Sequence, residues 1–218
     1  LGSFVQAATG AQGPCVTVAT ACSSSAKVFA QAARLIGAGF ADAAIVGGVD
    51  TLCGSVLYGF NSLGLVSTRP CRPFDVERNG LSLGEAAGFA LLERDGPGPR
   101  LLGWGESSDA HHMSSPHPEG LGARLAMQGA LARANLEPAD IDYINLHGTG
   151  TPANDTAEGL AVHTLFGTAT PASSTKGATG HTLGAAGALE AVFCAVALAD
   201  GLIPGSPGTT AVDPAIAI

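Results

Sequence analysis

Residues 17–29 read TVATACSSSAKVF, a β-branched run, one cysteine and then a row of serines leading into an apolar stretch. The alternation in CVTVAT (15–20) predicts a strand. From Ser23 the spacing of Ala, Phe, Leu and Ile in SSSAKVFAQAARLIGAGF predicts a helix, closed by Gly37 and Gly39. ADAAIVGGVD (41–50) then reads as a second strand, apolar and bounded by glycines, as in a sheet covered on both faces. Strand, helix and strand at this spacing predict a βαβ unit with a right-handed crossover. Cys22 falls at its strand-to-helix junction. There, unpaired N–H groups and the helix dipole favour an anion, which suits a nucleophilic thiolate. Core filler, metal ligand and disulfide partner are the competing readings.

Outward from this unit, residues 51–80 read as irregular and GLSLGEAAGFALLER (80–94) as a buried strand. DGPGPR (95–100) is the best linker in the chain. It divides the chain into a part at 1–95 with the cysteine and a part at 100–218 with two distinctive histidines. The second part repeats the pattern: RLLGWGESSD as a strand, GLGARLAMQGALARANL as a helix, and IDYINLHGTG as a strand running into a glycine-rich turn. A helix near NDTAEGLAVHTLFG, a short strand PASSTK and a long helix GAAGALEAVFCAVALAD follow.

Composition agrees with a layered α/β protein. Of 218 residues, 46% are hydrophobic, only 13% are charged and 31 are glycine, so tight packing of helices on strands is expected. The net charge of −8 argues against a nucleic-acid partner, which would require clustered cations. No apolar run is read as reaching the roughly 18 residues of a membrane helix, and no basic-then-apolar leader opens the chain, so neither membrane nor secretion is expected. The five cysteines are scattered and never in C-x-x-C spacing, which fits reduced cytoplasmic thiols.

Two further motifs carry chemistry. His147 follows a strand in NLHGTGTP, at the kind of strand end where α/β folds collect ligands; a turn-capping histidine is the alternative. Thr149 and Thr151 offer hydroxyls beside it. SSTKGATGHTLGAAGALEA carries Lys176, His181 and Glu190. Lys176 sits in an uncharged stretch and needs a buried partner, for which Glu190 is the nearest candidate in sequence, so a positioning ion pair is expected. His111, His112 and His117 in HHMSSPH match no strong zinc spacing and read as a solvent-lined loop, so no metal is expected.

Taken in order, TACSSSAK, HGTGTP and STKGATGHTLGAAG resemble the elongating β-ketoacyl-(acyl carrier protein) synthases of the thiolase superfamily. AIVGGVD, LVSTRPCRPFD and LGEAAGFALLE add to the match, which runs from CVTVATACSSS to at least Leu198. The resemblance implies a layered α-β-α-β-α fold of two similar halves, incomplete here at both ends. It implies a catalytic triad of Cys22, His147 and His181, with Lys176 and Glu190 in support and Thr149 and Thr151 contacting pantetheine. The implied reaction is decarboxylative Claisen condensation of a Cys22-bound acyl group with malonyl-carrier protein. No cofactor is implied beyond the phosphopantetheine of acyl carrier protein. That carrier and a second synthase subunit, identical or related, are the implied partners.

Thiolases share the fold but carry a second catalytic cysteine in a glycine-rich turn, whereas Cys194 falls inside the last helix. Chain-length-factor subunits lack the nucleophile that Cys22 supplies, although a heterodimer stays open. The stretch from Thr51 to Asp75 resembles synthases of aryl-polyene or similar pigment pathways. Asn79 departs from the family's usual Asp in RNGLSLGEAAG.

Overall fold

The computed structural model describes residues 1–218, in two compact units that each draw on several stretches of the chain. The first comprises residues 1–51, 84–99 and 182–199; the second comprises 52–83, 100–181 and 200–218.

In the first unit, α1 (Gly2–Thr9) precedes α2 (Ser24–Gly37), β1 (Ala43–Asp50), β2 (Ala86–Glu93) and most of α7 (Ala186–Asp200). β1 and β2 form an antiparallel ribbon in register from Ala43 opposite Glu93 to Asp50 opposite Ala86. α2 buries Ser25, Ala30, Ala32 and Ile36. At its C-terminal end the Ile36 carbonyl, which has no i+4 helical donor, accepts from the Arg94 guanidinium and from Gly39 N.

Glycine lets the layers approach. A Cβ on Gly48 would stand 2.7 Å from Ser25 Cβ and 3.0 Å from Ala185 Cα, and one on Gly187 would stand 2.5 Å from Ala26 N. Two side chains lock the start of α7: Ser25 Oγ accepts from Ala188 N at 2.9 Å, and Asp50 Oδ2 accepts from Gly184 N at 2.9 Å.

In the second unit, β3 (Ile144–Asn145) and β4 (Ala172–Ser173) pair in parallel and are joined by α5 (Pro152–Phe166), a βαβ crossover. α3 (Gly54–Ser62), α4 (Leu121–Ala134) and the one-turn α6 (Lys176–Thr179) complete it. Phe74, Leu146, Val162 and Ile216 form its buried centre, with Met127, Ile144 and Phe166 packed against them. α4 lies against the backbone at 103–105, where a Cβ on Gly105 would stand 1.6 Å from Ala126 O.

Several local expectations are corrected. CVTVAT enters no ladder apart from one bridge between Thr20 and Cys22. A groove of about 450 Å³ is lined both by this segment and by β1. A strand exists only where a neighbour takes its backbone hydrogen bonds, so the parallel βαβ expected around Cys22 does not form within this chain. RLLGWGESSD likewise enters no ladder.

Residues 54–62, expected to be irregular, form α3. This helix buries no residue, so it leaves no apolar period to detect. β2 is half-exposed rather than buried, with Phe89 and Leu91 facing out. Leu183–Asp200 is one helical stretch whose length and mean hydropathy of 1.7 would suffice to cross a membrane. The expectation that no apolar run reaches that length is corrected here; Glu190 lies within the stretch. Its Ala188 packs beside Gly88 of β2, where a Cβ would stand 3.4 Å away.

Overpacking at such contacts costs about 1–3 kcal/mol. Gly187→Ala is therefore expected to lower the unfolding free energy by about that amount in denaturant titration, and an unchanged midpoint would show that the contact with Ala26 relaxes freely.

Candidate active site

The second unit brings together His147, His181, Lys176, Thr149 and Thr151. β3 delivers His147 into a turn whose glycines lie in the left-handed region, Gly148 at φ 38° and Gly150 at φ 81°. The space is as restrictive as the backbone: a Cβ on Gly148 would stand 2.4 Å from Ser174 Cβ. Pro152 opens α5 at its first turn, where the missing N–H costs nothing.

From the second turn of α5, Glu158 reaches back and accepts from His147 N at 2.6 Å and Gly148 N at 2.7 Å. Asp155, fully buried, accepts from Gly150 N at 3.2 Å and from Phe74 N at 2.7 Å, tying the turn to the RPFD loop. Arg78 Nε lies 3.8 Å from Asp155 and its Nη1 donates to Asp213 at 2.6 Å. Thr149 and Thr151 are buried, and their hydroxyls share a hydrogen bond of 2.8 Å.

His181 is 1% exposed. Its N–H donates to Ser82 O at 2.7 Å, and it bridges to Leu83. Lys176 opens α6, also buried, with Nζ 3.4 Å from His147 Nδ1. An ammonium only donates, so Nδ1 accepts and the His147 ring proton sits on Nε2. Ser174 Oγ donates to Gly148 O at 2.8 Å and accepts from Lys176 N at 3.3 Å, joining the two motifs. The two imidazoles meet edge to face with centroids 5.0 Å apart.

Burial first, then the Lys176 charge and His181, holds His147 well below its usual value. Burial and Lys176 lower His181 to about 3. Both rings are therefore neutral at pH 7 and able to donate N–H bonds without bearing charge. Burial raises Glu158 to about 7, against the pull of the two backbone N–H groups that it accepts.

Cys22 and Glu190 belong to the first unit. Cys22 is half-buried, immediately ahead of α2. Ala21 before it lies at φ 51°, a strained conformation for a residue with a Cβ. The turn is held by Thr20 N donating to Ser24 Oγ at 2.9 Å and by Ser24 Oγ donating to Ala21 O at 2.6 Å. Glu190 lies on α7. None of the five cysteines is in a disulfide. Burial, then Glu190, raises the Cys194 thiol, which makes it a poorer nucleophile.

Elsewhere, the His111 and His117 rings lie 4.9 Å apart in a largely exposed loop. Asn79 accepts from Ser67 Oγ and donates to Thr68 Oγ1, closing the loop between them. An aspartate there could not donate and could bond Thr68 only by accepting from its hydroxyl.

Sequence reasoning missed Glu158 and Asp155, the carboxylates that shape the His147 turn. The available signal was two acids three residues apart in a helix that is otherwise uncharged apart from His163.

The family described as Beta-ketoacyl synthase, N-terminal domain, matches residues 2–96, and Beta-ketoacyl synthase, C-terminal domain, matches residues 100–210. The chain belongs to the β-ketoacyl synthases. Among curated synthases, the 3-oxoacyl-[acyl-carrier-protein] synthase 2 of Rhizobium meliloti is 42% identical over 212 residues, 88% of this chain and 50% of the relative. The mitochondrial 3-oxoacyl-[acyl-carrier-protein] synthase of Arabidopsis thaliana is 39% identical over 216 residues, 89% of this chain and 47% of the relative.

Among solved synthases, a chain of the complex of the ketosynthase ApeO with its chain length factor ApeC from Xenorhabdus doucetiae is 47% identical with a TM-score of 0.95. That alignment covers 99% of this chain and 54% of that one. The ishigamide ketosynthase/chain length factor aligns at 34% identity and a TM-score of 0.87, over 94% of this chain and 52% of that one. The chain thus has the α/β, thiolase-like fold of the ketosynthases and spans about half the length of these synthase relatives.

Two pH effects of opposite sign follow. The folded value of His181, near 3, lies below its ordinary 6.5, so its contribution to stability is full above about 6.5 and is lost as pH falls toward 3. Glu158, raised from 4.5 to about 7, contributes fully below about 4.5 and loses that contribution as pH rises through 7. His181→Gln is expected to flatten the fall in unfolding free energy between pH 6.5 and about 5; a slope equal to the parent's would remove His181 from the account. Glu158→Ala strips two backbone N–H groups of their acceptor and is expected to cost roughly 1–3 kcal/mol per group, read by denaturant titration.

Proposed function

We propose that the polypeptide carrying this chain catalyses decarboxylative Claisen condensation, extending an acyl group with malonyl-(acyl carrier protein) to give β-ketoacyl-carrier protein. The observation that carries this reading is the pair of neutral imidazoles, His147 and His181, edge to face at 5.0 Å beside Lys176. Family membership supplies the context.

In this reading the Cys22 thiolate attacks the acyl thioester, and the carrier thiol leaves. Malonyl-carrier follows, its C–CO₂ bond breaks, and the electron pair passes to an enolate whose oxygen accepts N–H bonds from the two histidines. The enolate carbon attacks the Cys22 thioester, and the Cys22 thiolate is released. Donors of this kind are worth about 3–4 kcal/mol each in acyl-transfer sites. A charged imidazolium could transfer its proton to the enolate and quench it, so the lowered values of His147 and His181 suit the role. Lys176 orients His147 through Nδ1, and Glu190 supports the site from α7. Thr149 and Thr151 meet the pantetheine arm.

The reaction asks for no resident cofactor or metal, because the acyl groups ride on phosphopantetheine of acyl carrier protein. A second synthase subunit is the expected partner. Similarity to a chain of the complex of ApeO with its chain length factor, and to the ishigamide pair, supports a heterodimer over a homodimer. The same similarity supports a polyene or polyketide-type product beside the fatty-acid alternative. Cysteines free of disulfides suit the reducing cytoplasm.

The test is mass spectrometry of the full-length polypeptide after incubation with acyl-loaded carrier protein. Acyl mass on the Cys22 peptide, absent in Cys22→Ala, is the expected result. His147→Ala and His181→Ala should load acyl yet lose condensation by about 10²–10³-fold. No adduct across a panel of acyl lengths would instead favour a non-catalytic partner subunit.

A further inference from the structure

Cys71, in LVSTRPCRPFD and outside the motifs that carry the histidines, bonds to the segments that hold Lys176 and His181. It is 2% exposed, and its thiol donates to the Lys176 carbonyl at 3.1 Å. Its backbone N–H donates to Ser82 Oγ at 3.0 Å. The Ser82 carbonyl in turn accepts from His181 N at 2.7 Å, and the next residue, Leu83, bridges to His181. Cys71 also lies beside the His147 turn, where a Cβ added to Gly150 would meet Cys71 Cβ at 3.4 Å. Gly80 N, on the same segment as Ser82, donates to Gly150 O at 3.0 Å.

We propose that Cys71 is a positioning residue for the histidine site, its thiol and backbone N–H setting where Lys176 and His181 stand against the His147 turn. The proposal rests on the condensation reading above and assigns a role to a residue outside the triad and its supporting pair.

The physical case begins with α6. A helix of four residues cannot hold itself, because nucleation fixes several dihedrals for very few bonds. The Lys176 carbonyl already accepts from Gly180 N at 2.9 Å, and the Cys71 thiol occupies its second lone pair. That bond anchors the Lys176 backbone from outside the helix and so sets the reach of Nζ to His147 Nδ1. A thiol suits the place, being apolar enough to be buried against Gly150 yet still able to donate. Displacement of catalytic groups by about 1 Å can cost up to a hundredfold in rate, so the clamp bears on turnover rather than on substrate binding.

The experiment uses the full-length polypeptide as wild type, Cys71→Ala and Cys71→Ser. It reads condensation kinetics and the imidazole NMR signals of His147 and His181, with thermal unfolding as the check on folding. Cys71→Ala is expected to lower kcat roughly tenfold or more with KM little changed, and to move both imidazole signals. Cys71→Ser restores a donor to the Lys176 carbonyl and should recover most of both. A folded Cys71→Ala with wild-type kcat and unmoved imidazoles would overturn the proposal, as would loss of kcat that serine does not rescue.

Should Cys71→Ala fail to fold, Ser82→Ala gives the second reading. It removes the acceptor of the Cys71 N–H and must shift the His181 signal; an unmoved signal overturns the proposal. Acyl loading of Cys22 separates the two levels. A wild type that never loads acyl defeats the condensation reading, while the imidazole signals still judge Cys71.

Discussion

Two backbone N–H groups, those of His147 and Gly148, end on the Glu158 carboxylate, and the histidine site is built around that contact. β3 supplies the approach, but a strand end is a point of freedom, and a turn with two left-handed glycines is freer still. Carboxylates on α5 remove that freedom. Glu158 takes the first two N–H groups, and Asp155 takes that of Gly150 together with Phe74 from a separate loop. The turn is thereby held by the helix that follows it, and its imidazole is presented in one orientation.

Burial then decides what that imidazole is. A histidine in water titrates near neutrality and would be a mixture at physiological pH. Here desolvation and the neighbouring Lys176 charge both act against the cation, so His147 and His181 stay neutral. The lysine has a double effect. It fixes the His147 tautomer by donating to Nδ1, and it prevents protonation by its own charge. Glu158 is pushed the other way by the same burial, so the site combines groups whose ordinary titration ranges have been inverted: carboxyl near 7, imidazole near 3.

The first unit solves a different problem with smaller atoms. Cys22 precedes α2, whose first turn packs against Gly48, Gly187 and the start of α7. Ser25 and Asp50 pair the N–H groups there that the helix itself leaves open. The positive φ of Ala21 is the strain that accompanies a sharp entry into α2.

Much of this was legible in the order of residues. The helical period after Ser23, the turn around His147, the glycine-rich run at His181 and the ordered set of three motifs specified the family and its fold class, because periodicity and turn chemistry are local. Pairing is not local. CVTVAT and RLLGWGESSD have the composition of strands, yet neither is paired in a ladder here, and a ladder belongs to two segments rather than one. α3 escaped notice because an exposed helix carries no apolar stripe.

The sequence by itself determined which groups are present for chemistry: one thiol at a helix start, and two histidines and a lysine in glycine-rich turns. Only the tertiary structure decided that Glu158, Asp155 and Cys71 serve the histidines, and that both rings are neutral. Burial and hydrogen bonding across residues as far apart in the chain as Cys71 and Lys176 set those properties, and no local pattern encodes a desolvated neighbour.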